Sequence, residues 1–490
     1  SVVTILAGLL ASRVGAGVAR DLRLALFEKV ESFSNTEMDR FSTASLITRS
    51  TNDITQIQQV IVLMIRMVAY APILGIGALL HALDSSPSMT WIIGLVILLI
   101  FIILMITMGI RQSLGLYISP LNTATGLGIA SISFALAVGQ FMWGASQPIF
   151  GAVADRYGPG GSLFAGAAMM AVGLALTPFV DSRLGLTLCL GVLVAAGAGA
   201  GSFSVLLGAV AARLPADRRA FASGFINAGG SFGQFVFAPL SQWLIAGFGW
   251  VTALFGLAAV TLLTIPLAWP LRHKAEHPEG GAAVSGGMGE QLRVAFGDRS
   301  YWCLHAGFLT CGFHIAFLAT HLPGAVDLCG LPGSVSANSL ALIGLANIVG
   351  GLAAGWACQR YRMKWLLFGM YASRAVMVGL YLVAPKTDLT FYLFAFGLGL
   401  TWLATVPPTA GLVGKLFGLR YLGTLFGLTL LSHQIGAFFG AWLGGLALVE
   451  FGNYDSMWIA DIVLASLAAL INVPNREAAP AAQATACAAR

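Results

Sequence analysis

Runs of apolar residues with scarcely a charge, such as WIIGLVILLIFIILMITMG at 91–109, follow one another along most of this sequence. A fold surrounded by water cannot bury so many long uncharged stretches, whereas a lipid bilayer requires them, at roughly 20 residues for each helix that crosses it. The composition agrees, because only 9% of the 490 residues are Asp, Glu, Lys or Arg, against about 25% in an ordinary soluble domain. Sixty glycines suit helices that approach closely in lipid. The length accommodates about 12–14 spanning helices with short connections. It leaves no room for a large additional water-soluble domain, so any chemistry lies in or between the helices.

Several function classes drop out. Cysteines 189, 303, 311, 329, 358 and 487 show no paired CxxC spacing and read as small packing residues. The histidines form no HExxH or comparable cluster, so no metal site is expected, and no GxxxxGK[ST] loop is present to cradle a nucleotide. No cofactor is implied, and energy has to come from a gradient or a partner. The formal charge of +6 is spread over short loops and is not a nucleic-acid signal.

The chain has two textures. Residues 1 to about 58 hold a short apolar start and then the charged helical run ARDLRLALFEKVESFSNTEMDRFSTASLITRSTNDITQIQQ, exposed to water along one side. Residues 60–83 are long enough to span, although Arg66 and Pro72 weaken that reading, and the polar turn-forming run from Asp84 through Pro87 to Ser88 breaks the chain. Twelve spans then follow near 91–117, 126–152, 162–180, 185–208, 220–243, 250–271, 301–322, 335–358, 363–383, 389–411, 420–443 and 456–472. The longest polar stretch separates the sixth from the seventh, and an Ala- and Pro-rich tail ends the chain. The resulting division is 1–85, a first six-helix unit at 86–271, a linker at 272–300, a second six-helix unit at 301–472 and a tail at 473–490.

The two units echo one another. GAVADRYG at 151–158 returns as GWACQRYR at 355–362, an offset of 204, while Gly109-Ile110-Arg111 returns as Gly312-Phe313-His314, Pro120 as Pro323 and Phe248-Gly249 as Phe451-Gly452, all at 203. Paired six-helix repeats are what alternating access requires. Fifteen basic residues, from Arg156 to Arg490, fall in the loops after even-numbered spans and in the tail, against only Arg183 and Lys386 on the other side. The positive-inside rule puts the fifteen, the linker and the C-terminus in the cytoplasm.

GAVADRYGPG resembles the loop between the second and third helices of the major facilitator superfamily, whose consensus is GxxxDRxGR. Gly151, Asp155, Arg156 and Gly158 match, and Pro159-Gly160 replaces the usual basic pair. The second copy keeps Gly355 and Arg360, with Gln359 where an acid is usual. The resemblance covers residues of about 88–475, and SLGLYISPL, GTLFGLTLLSHQIGAFFGAWLGG and Pro407-Pro408 look most like the bacterial branch near monocarboxylate and oxalate/formate porters. It implies an all-α, twelve-helix major facilitator fold of two six-helix repeats, carrying small organic anions, often with a proton, across a bacterial inner membrane. Residues 1–83 resemble the coupling-helix region of an ABC exporter transmembrane domain. In that family 60–83 would leave the cytoplasm, opposite to the orientation set by the fifteen basic residues, so the segment is expected to lie peripherally or to be poorly integrated. Ser1 in place of an initiating Met fits a fragment, a fusion or a misassembled frame.

Within the spans, Arg111 is the foremost candidate. An intramembrane charge costs about 2.5–3.5 kcal/mol even on a mild scale unless it is paired or faces a watery cavity, and a guanidinium fits a carboxylate bidentately. A structural arginine satisfied by carbonyls is the competing reading. Gln112 and Tyr117 follow Arg111, and His314, its repeat counterpart, is either a proton-coupling group or a hydrogen-bonded packing residue. Arg374 is a second intramembrane cation that serves the anion or a salt bridge, and His433-Gln434 is a polar pair inside the eleventh span. Gln140, Gln147, Asn227, Gln234, Asn338 and Asn347 read as amides that join helices. By resemblance, Gly151, Asp155, Arg156, Gly158 and Arg360 form a cytoplasmic gate that affects turnover more than affinity. Pro148 and Pro407-Pro408 permit bending or fix a kink.

The leading expectation is therefore no enzyme but a secondary transporter, its partners a small organic anion, protons and the bilayer, with no ATPase partner needed. The alternatives are an ABC-type export component that recruits a separate ATPase through residues 1–83, and an inactive fusion.

Overall fold

Among the described residues every regular element is helical, as lipid demands of a chain that must satisfy each backbone group internally. The computed structural model describes residues 2–33, 54–55, 58, 87–202, 205–206, 216–271, 288–418 and 422–477. The expected span at 60–83 lies outside them. The chain divides into two compact units, Ser1–Gly94 and Leu95–Arg490.

In the first unit α1 (Val2–Glu31) runs unbroken from the apolar start into the charged run. Its charged half is solvated, with Arg20 paired to Asp21 at 2.8 Å and Arg23 donating to the Thr55 hydroxyl at 3.2 Å. α1 is not among the helices long and apolar enough to cross a membrane.

The second unit contains the membrane helices. α2 (Pro87–Ser113), inside which the border between units falls, continues through a tight turn at Leu114–Tyr117 and a last stretch at Ile118–Thr125. α3 (Ile129–Tyr157) and α4 (Pro159–Leu176) meet at Gly158, whose φ of +93° favours glycine, and Pro159 then opens α4. α5 (Arg183–Ala200) carries a π-type stretch over Thr187–Val194. The run Ala216–Leu262 is two helices, because Gly249 sits at φ +79° and ψ 160°; residues 216–248 are α6 and 250–262 are α7. After α8 (Met288–Gly297) come α9 (Arg299–Leu328), α10 (Gly333–Arg360), α11 (Met363–Val383), α12 (Asp388–Thr401), α13 (Val406–Phe417), α14 (Leu422–Phe451) and α15 (Asp455–Asn472).

Eleven described stretches are long and apolar enough to span, and one of them, Ala228–Leu271, contains the break at Gly249. The expected twelve-helix order follows. The tenth span is broken into α12 and α13 by a turn through Trp402–Thr405, with Pro407 and Pro408 in the first turn of the restarted helix. Large apolar side chains such as Phe179, Val376, Leu380 and Val383 point outward, as lipid contact allows.

Within this unit the two halves meet along α3 against α14 and α6 against α10. Glycine makes the tightest contact inside the second half. At Gly312 on α9 and Gly436 on α14 a Cβ would run into the carbonyls of His433 and Leu309 on the facing helix, so the backbones pack with nothing between them. α9 is the most enclosed span. α8 packs on the second half, with Ala295 in its core and Gln291 donating to the Phe417 carbonyl at 2.8 Å.

Candidate functional site

The turn of α3 that carries Gln140 and Trp143 lies beside Arg111 near the end of α2. Three residues apart, the two side chains share one helix face. Arg111 Nη1 donates to Gln140 Oε1 at 2.8 Å, and the guanidinium carbon lies 4.2 Å from the centre of the Trp143 ring. That cation–π contact and one amide bond leave Arg111 Nε and Trp143 Nε1 as buried donors with no acceptor among the described residues. Gln112 turns away and donates to the Gly230 carbonyl of α6 at 3.5 Å, and Tyr117 is fully buried beside Ser241.

Arg111 and Gln140 face a cleft between the halves, closed on the far side by Ala319 and Thr320 of α9, with a cavity of about 20 Å³. That is room for a water molecule in this conformation. Gly115 lets α2 approach, since a Cβ there would meet the Thr320 carbonyl at 2.8 Å.

The other predicted residues are not gathered around Arg111. His314 lies inside the second half, where its Nδ1 is 2.5 Å from Asp461 Oδ2 on α15, with both side chains almost fully buried. Arg374 is 1% exposed and its donors are engaged: Nη1 to Cys311 Sγ at 3.1 Å, Nη2 to the Trp402 carbonyl at 2.8 Å and to the Thr401 carbonyl, Nε to the Thr401 hydroxyl at 3.4 Å. The break between α12 and α13 frees those carbonyls, and Arg374 supplies the donors they need. The His433 ring lies tilted against Phe308 at 5.2 Å and its Nδ1 is 3.3 Å from Gln434 Nε2. Gln434 packs across the interface against Gly144 of α3, one residue beyond Trp143.

Some amides do join helices. Asn347 on α10 donates to Ser231 of α6 at 2.8 Å and accepts from the Leu403 backbone at 2.9 Å, binding the first half to the broken tenth span. Asn338 reaches the Tyr392 hydroxyl at 3.4 Å. The side chain of Asn227 lies outside the described residues.

Where α3 meets α4, Gly158 N–H closes α3 on the Ala154 carbonyl at 2.8 Å, and Ser162 Oγ donates to the Phe150 carbonyl at 3.1 Å. Arg156 is exposed over Tyr157, Gly151 has open space beside it, and the side chain of Asp155 lies outside the described residues. Arg360 lies over Trp356 at 4.8 Å. In the second half the carboxylate comes from Glu477 after α15. It accepts from the Lys364 backbone at 3.1 Å and lies 3.7 Å from Lys415 and 4.0 Å from Arg362. On the other side Lys386 caps the carbonyls of Tyr381, Leu382 and Ala384 at 2.5–3.2 Å, and burial pulls its pKa down.

Trp143, Asp461 and Glu477 were not singled out from sequence. A lone tryptophan in an apolar span carries no signal. Asp461 does carry one, since it is the sole carboxylate away from the ends of the described spans. No group of three or more His, Cys, Asp or Glu side chains placed to hold a metal ion occurs among the described residues.

The sequence pattern of the Major Facilitator Superfamily matches residues 99–441, and that of the ABC transporter transmembrane region matches residues 1–115, so the two overlap on α2. Monocarboxylate transporter 13 of Bos taurus is 26% identical over 381 residues, covering 75% of this chain and 86% of that protein. The oxalate:formate antiporter of Oxalobacter formigenes is 26% identical over 357 residues, covering 70% and 82%. Among solved structures, a bacterial homolog of the human lysosomal transporter Spinster, inward-facing and unoccupied, superposes with a TM-score of 0.62 at 16% identity over 78% of this chain and 96% of that one. The chain belongs to the Major Facilitator Superfamily, and it is a multi-pass membrane protein that carries small polar or charged solutes by secondary transport.

Proposed function

We propose that this member of the superfamily moves small organic anions, monocarboxylates or dicarboxylates, by alternating access with proton coupling or anion exchange. The observation that carries the reading is Arg111 at the cleft between the halves, a buried cation whose Nε has no acceptor among the described residues. A carboxylate is an acceptor that satisfies this donor and balances the guanidinium charge at the same time. The relatives named for monocarboxylate and for oxalate and formate support the substrate class. Rocking of the two halves about α3–α14 and α6–α10 widens a cleft that is narrow here.

In this reading Arg111, with Gln112 and Tyr117 behind it, holds the anion, and Gln434 lines its path from the second half. Gly151, Asp155, Arg156, Gly158 and Arg360 act on the cytoplasmic side, and the linker and C-terminus face the cytoplasm of a bacterial inner membrane. Residues 1–85 are an appendage, 86–271 and 301–472 the working halves.

Uptake of a carboxylate panel into proteoliposomes, with and without a pH gradient, tests the reading. Accumulation or exchange that collapses in Arg111→Gln supports it. It fails if no carboxylate moves, or if neutralising Arg111 leaves every transport trait as it was. The ABC transporter match over residues 1–115 favours a second reading, an export component served by a separate ATPase; transport that tracks ATP hydrolysis by a co-purifying ATPase would select it.

A further inference from the structure

We propose that His314 and Asp461 form a proton-binding site, distinct from the anion cleft, that takes up one proton and releases it in each transport cycle. Asp461 is 1% exposed and is the sole carboxylate within the described spans away from their ends. A carboxylate at that depth is tolerated when it is paired and functional. Its partner is a titratable ring, not a permanent cation: His314 Nδ1 lies 2.5 Å from Asp461 Oδ2, so the proton on Nδ1 is donated to the carboxylate. In the neutral ring that bond selects the Nδ1–H tautomer and leaves Nε2 with a free lone pair. Nε2 is buried and has no hydrogen-bond partner among the described residues. His305 on the same helix also leaves Nε2 unpartnered, but its Nδ1 meets the Ser432 hydroxyl, whereas the Nδ1 partner of His314 is a carboxylate that stabilises the protonated ring.

The surroundings set the charge. On α9 the other titratable side chains of this region are Cys311 and His321. α11 contributes Tyr371, Arg374 and Tyr381, α14 contributes His433, and Tyr454 precedes α15. Arg374 is a permanent cation that attracts the Asp461 carboxylate. With His314 neutral and Cys311 a thiol, Arg374 and Asp461 balance to zero. A proton entering from one side of the membrane adds to His314 Nε2, no other bond forms or breaks, and the group becomes an imidazolium paired to a carboxylate with a net charge of one. That excess positive charge is stabilised when an anion occupies the protein and is expelled when the anion leaves, which is a symport linkage. The route between the sites is short. Thr320, which lines the Arg111 cleft, stands six residues beyond His314 on α9, roughly 9 Å along the helix axis.

The coupling rests on the carboxylate reading; the proton site itself does not, and the test separates them. In proteoliposomes, Asp461→Asn and His314→Gln are expected to lower pH-gradient-driven accumulation of formate, lactate or oxalate at least tenfold, and exchange without a gradient by much less. Independently, the purified full chain without substrate is titrated from about pH 5 to pH 9 while tryptophan emission is followed. Trp402 lies 6.1 Å from the His314 ring and Trp458 three residues before Asp461, so both report on the pair. The wild type is expected to show an emission transition that both variants lose, with the Trp402→Phe variant losing part of its amplitude. Titration without any carboxylate transport overturns the substrate reading and keeps the proton site. Normal gradient-driven accumulation in both variants, an equal fall in accumulation and exchange, or a transition absent from wild type or unchanged in the variants overturns the proton site.

Discussion

Positions 111 and 314 stand one repeat apart on the first helix of each half, yet the two halves use them differently. In the first half the residue is a permanent cation at the interface, held by one amide and one aromatic face, with a donor to spare. In the second half it is a titratable histidine bonded through Nδ1 to a carboxylate, with Nε2 unpartnered, and the permanent cation of that half, Arg374, has its donors engaged by the broken helix beside it. The repeat preserves where the backbone goes; it does not preserve the chemistry of the group left wanting a partner, a fixed cation in one half and a titratable ring in the other. An intramembrane charge therefore signals function only when part of its bonding capacity is unused.

Substitutions at the two cations probe this contrast most strongly. Arg374→Met strips the donors from the Thr401 and Trp402 carbonyls and leaves Asp461 uncompensated, and the expected loss is about 3–5 kcal/mol, read as a fall in thermal stability of the detergent-solubilised protein. Wild-type stability in that variant would break the assignment of Arg374 to structure. Arg111→Gln is expected to unfold no sooner than the wild type while anion transport falls roughly 100-fold, about 2.7 kcal/mol, with Arg111→Lys intermediate because a point charge cannot make the bidentate contact. A stability loss at Arg111 as large as at Arg374 would erase the difference between the halves.

Smaller effects sharpen the comparison at the seams. Asn347→Ala removes the bonds to Ser231 and to the Leu403 backbone and leaves that amide hydrogen unpaired, a change of about 1–3 kcal/mol. It is expected to shift the balance between inward- and outward-facing forms, measured by cysteine accessibility on the two sides of the membrane. Glu477→Gln weakens contacts to side chains that are largely exposed, Arg362 at 64% and Lys415 at 45%, so the change is below about 1 kcal/mol. Its signature is a faster turnover with substrate affinity little altered.

The spans, their order and the two-half architecture were legible because each rests on a local property, apolar length or a recurring string. Helix boundaries at Gly158 and Gly249 coincide with residues that tolerate positive φ. The broken tenth span was legible only as Pro407-Pro408, and the π-type stretch at Thr187–Val194 not at all, since nothing in TLCLGVLV distinguishes it from a regular helix. Arg111, His314, Arg374 and His433 were conspicuous for their cost in lipid. Their partners were not, because Trp143 and Asp461 belong to other helices, 32 and 147 residues away from Arg111 and His314 in the chain.

By itself the sequence determined that this protein lives in a membrane as repeated bundles of helices and that a few buried charges must be accounted for, because lipid penalises charge and unpaired backbone wherever they occur. Only the tertiary structure decided which of those charges is satisfied. Hydrogen bonds act over about 3 Å, and the residues that meet at that range in this protein are brought together by helix packing, not by their order in the chain.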